Sequence, residues 1–222
     1  MSGALLLGAG ALRARLDAAI VDLDGTLVDT LDDFAAALGG MLQDLGLPAI
    51  PTAAVAHRVG KGSEHLLRSV LEHVLAQSGQ APAATKIEAL YPAAWESYQR
   101  HYRRINGVHA RVYPGAAEGL AALRAAGLRL ACLTNKPRAF AEPLLQAKGL
   151  APHFEWVFGG ASFARKKPDP LPPLKTCEAL GTLPARAAGC PVVLVTYGYN
   201  HGQSARSVDA DAWVDSLAEL GR

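Results

Sequence analysis

The second half of the chain alternates between strand-like and helix-like segments, and this alternation restricts the fold more than any other feature. The strand-like segments are short and apolar, and they read LRLACLT (residues 128–134), WVFGG (156–160) and PVVLVTY (191–197). The helix-like segments have proline near the start and glycine at the end, as in PGAAEGLAALRAAG (114–127). Strands separated by helices predict an α/β fold, with a parallel sheet covered by helices on both faces.

A further strand and a long helical insert precede this region. The segment DAAIVDL (17–23) is apolar and ends at an Asp-Gly turn, which is typical of a buried strand. Residues 30–105 then show only helical spacing, with Thr30 as the expected N-cap of the first helix and a kink or break expected near Pro92. We therefore expect a core of residues 1–29 and 108–222, with a helical domain of residues 30–107 inserted after the first strand.

Two carboxylates stand at the end of the first strand. Asp22 and Asp24 are separated by one leucine, and carboxylates there cost desolvation energy unless they are paired. Gly25 permits a turn that would bring both into one pocket, where a divalent cation would offset their repulsion. Mg²⁺ prefers such oxygen ligands and leaves room for substrate phosphate oxygens. Thr134 and Asn135 also follow a strand, and ligands of parallel sheets bind at these carboxyl ends.

Three motifs carry a resemblance to a known family. DLDGTLVDT (22–30), LTNK (133–136) and KKPDP (166–170) occur in the order of the haloacid dehalogenase superfamily of phosphohydrolases, and the combination is specific. Within it, residues 113–150 and 190–202 are similar to the bacterial phosphoglycolate phosphatases. The resemblance implies a Rossmann-type parallel sheet with a helical cap. It also implies Mg²⁺-dependent hydrolysis of 2-phosphoglycolate to glycolate and phosphate.

The resemblance also implies roles for four catalytic residues. Asp22 would be the nucleophile that forms an aspartyl-phosphate, and Asp24 would protonate the leaving alcohol and then activate water. Thr134 would hydrogen-bond a phosphate oxygen, and Lys167 would neutralise charge on the transferring phosphoryl group. Asp22 and the main-chain carbonyl of Asp24 would hold Mg²⁺.

Six residues are expected to bind substrate through their backbone or side chain. One group lies beside the carboxylates and in the second motif. The other lies in a glycine-rich loop of the helical domain, directly before a helix N-terminus. Such a loop would suit a carboxylate such as that of glycolate. The six residues are Gly25, Thr26 and Asn135, and Gly60, Lys61 and Gly62.

Simpler interpretations of these motifs remain open at this point. Thr134 and Asn135 also make a good helix start before a proline. Lys167 follows Arg165 and Lys166 and is compatible with an ordinary surface lysine. The glycine-rich loop is compatible with a flexible connection between two helices.

The fourth motif of the family is absent from this sequence. The family pattern requires an apolar strand that ends in Gly-Asp, with another acid a few residues later, to complete the metal site. Here the sequence is CEALGTLPARAAGCPVVLV (177–195), and Glu178 is the only acidic residue between Leu171 and Val208. About twenty residues are missing at a seam near Pro184–Ala187, enough for a strand, a loop and most of a helix. We therefore expect weak Mg²⁺ binding. We also expect either a gap or a repaired pairing beside the first strand, with residues 191–197 as the candidate to move inward.

Two other functions compete with a phosphoglycolate phosphatase. The first is a catalytically impaired, vestigial protein that only binds phosphoanions, which the seam favours. The second is a sugar-phosphate phosphatase or mutase of the same superfamily. The similarity of VTYGYNHG (195–202) to the phosphoglycolate phosphatases counts against it.

Composition indicates the setting in which the protein acts. A formal net charge of +2 gives no strong case for a nucleic-acid or membrane partner. Three cysteines without metal-type spacing suggest a reduced compartment, and the first residues predict a short leader rather than a signal peptide. We expect a cytoplasmic monomer or homodimer whose partner is a small phosphomonoester.

Overall fold

The computed structural model describes residues 16–77, 84–182, 191–199 and 203–221. The chain forms two compact units, one made of Met1–Asp29 with Arg111–Arg222 and the other of Thr30–Ala110. In chain order the strands are β1 (Ala18–Val21), β2 (Val28–Asp29), β3 (Arg111–Val112), β4 (Arg129–Leu133), β5 (Trp156–Phe158), β6 (Val193–Val195) and β7 (Ala212–Val214). The helices are α1 (Leu31–Asp44), α2 (Thr52–Ala56), α3 (Ser63–Gln77), α4 (Ala84–Ile105), α5 (Ala116–Ala125), α6 (Arg138–Ala147) and α7 (Leu171–Ala179).

The first unit is built on a parallel sheet in the order β1-β4-β5. Four of the five residues of β4 are buried because helices α5 and α7 pack against this strand, while α6 packs against β5. The predicted α/β fold is confirmed. Among the described residues, 3₁₀ turns at Ala151–His153, Ala205–Ser207 and Leu217–Gly221 complete the unit.

A gap separates this sheet from a second parallel pair. Within the described ranges, β1 pairs with β4 alone and β6 pairs with β7 alone. A cavity of about 420 Å³ lies between β1 and β6, and its lining is apolar except for Asp22, Thr26 and Lys167. Among the described residues, no strand pairs with the open side of β1, as the expected gap requires, and residues 191–197 have not moved inward to pair with it. The seam itself lies outside the described residues.

The second unit is helical, and α1 packs against α4. The rings of Phe34 and Tyr98 each lie 5.3 Å from the ring of Tyr102. Asp33 is fully buried and accepts hydrogen bonds from the main-chain N–H groups of Gly107 (2.6 Å) and His109 (2.7 Å), which fixes the chain after α4. These contacts give a short helical bundle its own core.

The structure bears on two local predictions in this unit. The expected break near Pro92 is absent: helix α4 continues through it, because the packing of its neighbouring turns outweighs the loss of one backbone hydrogen bond. Thr30 precedes α1 as expected, but its side chain makes no capping hydrogen bond. None of the described helices is both long enough and apolar enough to cross a bilayer.

Candidate active site

The turn after β1 holds the two carboxylates of the first motif. The amides of Leu27 (2.9 Å) and Val28 (3.1 Å) both donate to the carbonyl of Leu23, so the chain reverses direction directly after Asp22. Gly25 has a φ of 79°, and a Cβ there would lie 2.8 Å from the ring of Tyr199. The turn therefore requires glycine both for its backbone conformation and for its packing.

Asp22 pairs with the lysine of the third motif. Lys167 Nζ lies 2.8 Å from Asp22 Oδ1 and donates to the carbonyl of Leu133 at 2.8 Å. The amide of Leu23 also donates to Asp22 Oδ1, at 2.7 Å. The structure thus brings Asp22 and Lys167 together across the ends of two parallel strands, and Lys167 is not an isolated surface lysine.

The second motif follows β4 and positions Lys167. The side chain of Asn135 donates to the carbonyl of Lys167 (2.9 Å) and accepts from its amide (3.0 Å). Thr134 is buried, and its hydroxyl accepts from the amide of Lys136 at 3.1 Å. Helix α6 starts later, with Pro137 as its N-cap, so the interpretation of Thr134 and Asn135 as a simple helix start is wrong.

Lys136 is the residue that sequence reasoning missed. Its side chain is 2% exposed, and Nζ lies 3.0 Å from Oδ1 of Asp24, whose side chain is 11% exposed. The available signal was a lysine directly after a buried strand, in the quoted segment LTNK. A buried ammonium requires a partner carboxylate, and the first motif supplies it.

Two tyrosines from the segment after β6 contact the first motif. The hydroxyl of Tyr197 donates to the carbonyl of Thr26 at 3.0 Å, and that of Tyr199 donates to Asp29 Oδ1 at 2.7 Å. Burial raises the pKa of Tyr197 to about 12, which keeps its hydroxyl protonated as a donor. The Tyr197 hydroxyl thus fixes the position of the Thr26 carbonyl.

Cys132 lies in β4 beneath the site and is a free thiol. Its complete burial, and then the negative charge of Asp22, raise the pKa of this thiol far above its ordinary value. It is therefore a packing residue rather than a nucleophile. Cys177 is likewise buried and free, and Cys190 lies outside the described residues.

The donor set suits a Mg²⁺ ion that shares its coordination with substrate. Asp22 supplies a carboxylate that is 42% exposed, and Mg²⁺ commonly takes one or two carboxylates together with substrate phosphates and water. No group of three acidic, histidine or cysteine side chains able to hold a metal occurs in the part of the chain that the structure describes. Glu178 pairs with Lys175 on the exposed face of helix α7 and adds nothing to the site.

The glycine-rich loop belongs to the helical unit. Gly60 and Gly62 have φ values of 113° and 89°, and Lys61 is exposed just before the start of α3 at Ser63. The loop therefore lies directly before a helix N-terminus, which is where main-chain amides bind anions in proteins. Binding of a substrate carboxylate by Gly60, Lys61 and Gly62 stays a prediction.

Comparisons with known proteins agree with the motifs. The profile of the haloacid dehalogenase-like hydrolases matches residues 16–201. A phosphoglycolate phosphatase of Thiobacillus denitrificans is 40% identical over 219 residues, covering 92% of this chain and 93% of that protein. One of Cupriavidus necator is 43% identical over 218 residues, covering 91% and 90%. A crystal structure described as a predicted phosphoglycolate phosphatase, from Haemophilus somnus 129pt, superposes with a TM-score of 0.85 at 29% identity, covering 93% and 97%.

The alignment lengths also bear on the seam. In the Thiobacillus comparison, 92% of this chain is about 204 residues, whereas the alignment extends over 219. About 15 positions of that relative therefore have no counterpart in this chain. This deficit is close to the roughly twenty residues that we expect to be missing near Pro184–Ala187.

Proposed function

This chain belongs to the haloacid dehalogenase-like hydrolase family, and from that premise we propose that it hydrolyses 2-phosphoglycolate to glycolate and inorganic phosphate through an aspartyl-phosphate. The relatives that match over nine-tenths of the chain carry the name of that activity. The observation that carries the proposal is the contact between Asp22 and Lys167 at 2.8 Å. It supports the proposal because it brings the proposed nucleophile together with a positive charge at one edge of a parallel sheet.

The proposed first step is attack by Asp22 on phosphorus. Among the described residues, both contacts to Asp22 fall on Oδ1, so Oδ2 is the oxygen that we assign to the attack. As the new bond forms, the bond between phosphorus and the glycolate oxygen breaks, and that oxygen takes a proton from Asp24. Lys167 stabilises the charge on the transferring group, and the Thr134 hydroxyl hydrogen-bonds one of its oxygens.

The second step releases phosphate. Asp24, now a carboxylate, takes a proton from a water molecule, and the water oxygen attacks the phosphorus of the aspartyl-phosphate. The acyl phosphate bond breaks and Asp22 is restored. Asp24 thus serves as acid and then as base.

We assign Mg²⁺ as the cofactor. The Asp22 carboxylate and the Asp24 main-chain carbonyl would hold it, with water and phosphate oxygens in the remaining positions. When bound, Mg²⁺ neutralises negative charge on the phosphoryl group. All other roles in the two steps belong to residues of the chain itself.

The remaining proposals concern substrate contacts and setting. The main-chain amide of Asn135 would face the phosphate. The amides of Gly25 and Thr26 donate to the carbonyls of Val28 (2.9 Å) and Leu23 (3.3 Å), so they would reach the phosphate only by giving up these hydrogen bonds. The loop with Lys61 would meet the glycolate carboxylate, and residues 30–107 would form the cap domain. We place the protein in the cytoplasm as a monomer or homodimer that acts on a small substrate and binds neither nucleic acid nor membrane.

Phosphate release from a panel of substrates tests this function. The panel contains 2-phosphoglycolate, other phosphorylated acids, and hexose phosphates. We expect the highest kcat/KM for 2-phosphoglycolate. Preference for a hexose phosphate, or conversion between its isomers, would instead establish the sugar-phosphate alternative.

The second candidate is an impaired phosphoanion-binding protein. The cavity of about 420 Å³ beside β1 and the missing acidic segment favour it. It predicts no turnover with any member of the panel while inorganic phosphate still binds in calorimetry. Turnover abolished by Asp22→Asn would exclude it.

A further inference from the structure

We propose that Lys136 is a positioning residue for Asp24. It holds the Asp24 carboxylate in place for proton transfer and keeps that carboxylate from becoming a metal ligand. The effect on turnover that we predict rests on the proposed function, whereas the effect on Mg²⁺ affinity does not. Its basis is a contact of 3.0 Å between two side chains that are 2% and 11% exposed.

The backbone of Lys136 is fixed on both sides. Its amide donates to the Thr134 hydroxyl (3.1 Å), and its carbonyl accepts from the amide of Gly160 (2.9 Å). A Cβ on Gly160 would lie 2.4 Å from the carbonyl oxygen of Asn135, so the two segments touch. Lys136 therefore extends from a rigid base, and its ammonium has a defined position.

Burial makes this ammonium a strong constraint on Asp24. An ammonium removed from water is costly unless a carboxylate meets it, whereas an exposed lysine would hold its partner only weakly. The contact fixes one oxygen of Asp24, and it balances the negative charge that Asp24 carries, beside that of Asp22, after giving its proton to the leaving oxygen. Asp22 and Asp24 are thus each matched by a lysine, Lys167 and Lys136 respectively.

The kinetic test compares leaving groups. Lys136→Met keeps most of the length of the side chain and removes its charge. We expect it to lower kcat about 10- to 100-fold for 2-phosphoglycolate, whose alcohol needs a proton, and less than about 3-fold for p-nitrophenyl phosphate, whose phenolate does not. Lys136→Arg should recover part of the loss, and Lys175→Met, which removes an exposed lysine on α7, should match wild type.

A double-mutant cycle separates positioning from packing. If Lys136 acts through Asp24, the variant Asp24→Asn/Lys136→Met is no slower than Asp24→Asn alone. Removing both partners of a buried pair is also better tolerated than removing one, so this variant remains measurable if Lys136→Met unfolds. Additive losses, or equal losses for both substrates, would overturn the proposal.

Metal binding supplies a readout that is independent of turnover. We expect Lys136→Met to bind Mg²⁺ several-fold more tightly than wild type in calorimetry without substrate, because the Asp24 carboxylate is no longer held by an ammonium. Asp24→Asn/Lys136→Met should lose this gain. Unchanged or undetectable Mg²⁺ binding in Lys136→Met would contradict the proposal. Absence of turnover in wild type would refute the proposed phosphatase function instead, and the calorimetric result would still decide the role of Lys136.

Discussion

The candidate site consists of two carboxylate–ammonium pairs with different exposure. Lys167 and Asp22 are 27% and 42% exposed at their side chains, whereas Lys136 and Asp24 are almost buried. The exposed pair can exchange its contact for a substrate phosphate at little cost, because water already reaches both groups. The buried pair cannot, which suits a group that must keep its orientation through two proton transfers.

Asp22→Asn should abolish phosphatase activity and leave the fold intact. An amide cannot attack phosphorus or carry charge to Mg²⁺, and the substitution keeps the shape of the side chain. Phosphate release and circular dichroism measure the two effects. Asp32→Asn, on an exposed position of α1, is the matched control and should retain wild-type turnover. More than a few per cent of wild-type turnover in Asp22→Asn would remove Asp22 from its role.

At the scale of secondary-structure elements, the end of α1 is tied to α4 by one carboxylate. Asp44 Oδ2 accepts from Ser97 Oγ (2.6 Å), and it also contacts Arg100 and His101. These hydrogen bonds, that from Ser97 first, lower the pKa of Asp44 from 3.8 to about 2. The stability that the contacts give is therefore complete above the ordinary pKa and is lost as the pH falls through the lowered one.

This linkage predicts the acid sensitivity of the helical unit. Between pH values of about 4 and 2, wild type should lose more stability than Asp44→Asn, which lacks the titrating group. The difference should be small, because the Asp44 side chain is 38% exposed and screened by solvent. Urea unfolding of both proteins across this window measures it. Parallel losses in the two proteins would show that Asp44 does not link α1 to α4 in solution.

The loop before α3 gives a prediction about substrate choice. Lys61→Ala should raise KM for 2-phosphoglycolate more than for a phosphate ester without a carboxylate, because Lys61 is proposed to meet that carboxylate. Steady-state kinetics with both substrates measure the difference. Lys86→Ala, at an exposed position of helix α4 in the same unit, is the control. Equal changes in KM would indicate that the loop only connects two helices.

Sequence patterns identified the elements with strong periodicity and missed those formed by distant contacts. β1, β4, β5 and β6 follow apolar runs, so local pattern was enough to find them. β2 and β3 have two residues each and exist only because they pair with each other. Two residues are too few to show the alternating pattern that identifies a strand in sequence. The contact of Lys136 with Asp24 joins positions 112 residues apart and likewise has no local signature.

At the scale of the whole molecule, the first unit has an interrupted sheet. In the described part of the chain, all four residues of β1 are only half-buried, whereas four of the five residues of its neighbour β4 are buried. The cavity between β1 and β6 is bordered by the apolar residues of both strands. A strand of about five residues would fit the sequence deficit and bury the open side of β1.

Restoring an apolar strand that ends in Gly-Asp between Pro184 and Ala187 should stabilise the protein and strengthen Mg²⁺ binding. Each large apolar side chain that becomes buried contributes about 1.5–3 kcal/mol, and the new carboxylate adds charge to the metal site. Urea unfolding and calorimetry measure the two gains. The same insertion ending in Gly-Asn should keep the stability and lose the metal affinity. Equal Mg²⁺ affinity for the two insertions would refute the metal role of the missing segment.

Phosphate release from 2-phosphoglycolate across a Mg²⁺ titration tests the central claim most directly. The claim is that this family member transfers phosphate through Asp22 with an incomplete set of metal ligands. The chain, with its intact mass verified, should hydrolyse the substrate slowly, with a rate that still rises at millimolar Mg²⁺ and vanishes in Asp22→Asn. Saturating, rapid turnover at micromolar Mg²⁺ would contradict the incomplete metal site, and no release at any Mg²⁺ concentration would contradict the phosphatase itself.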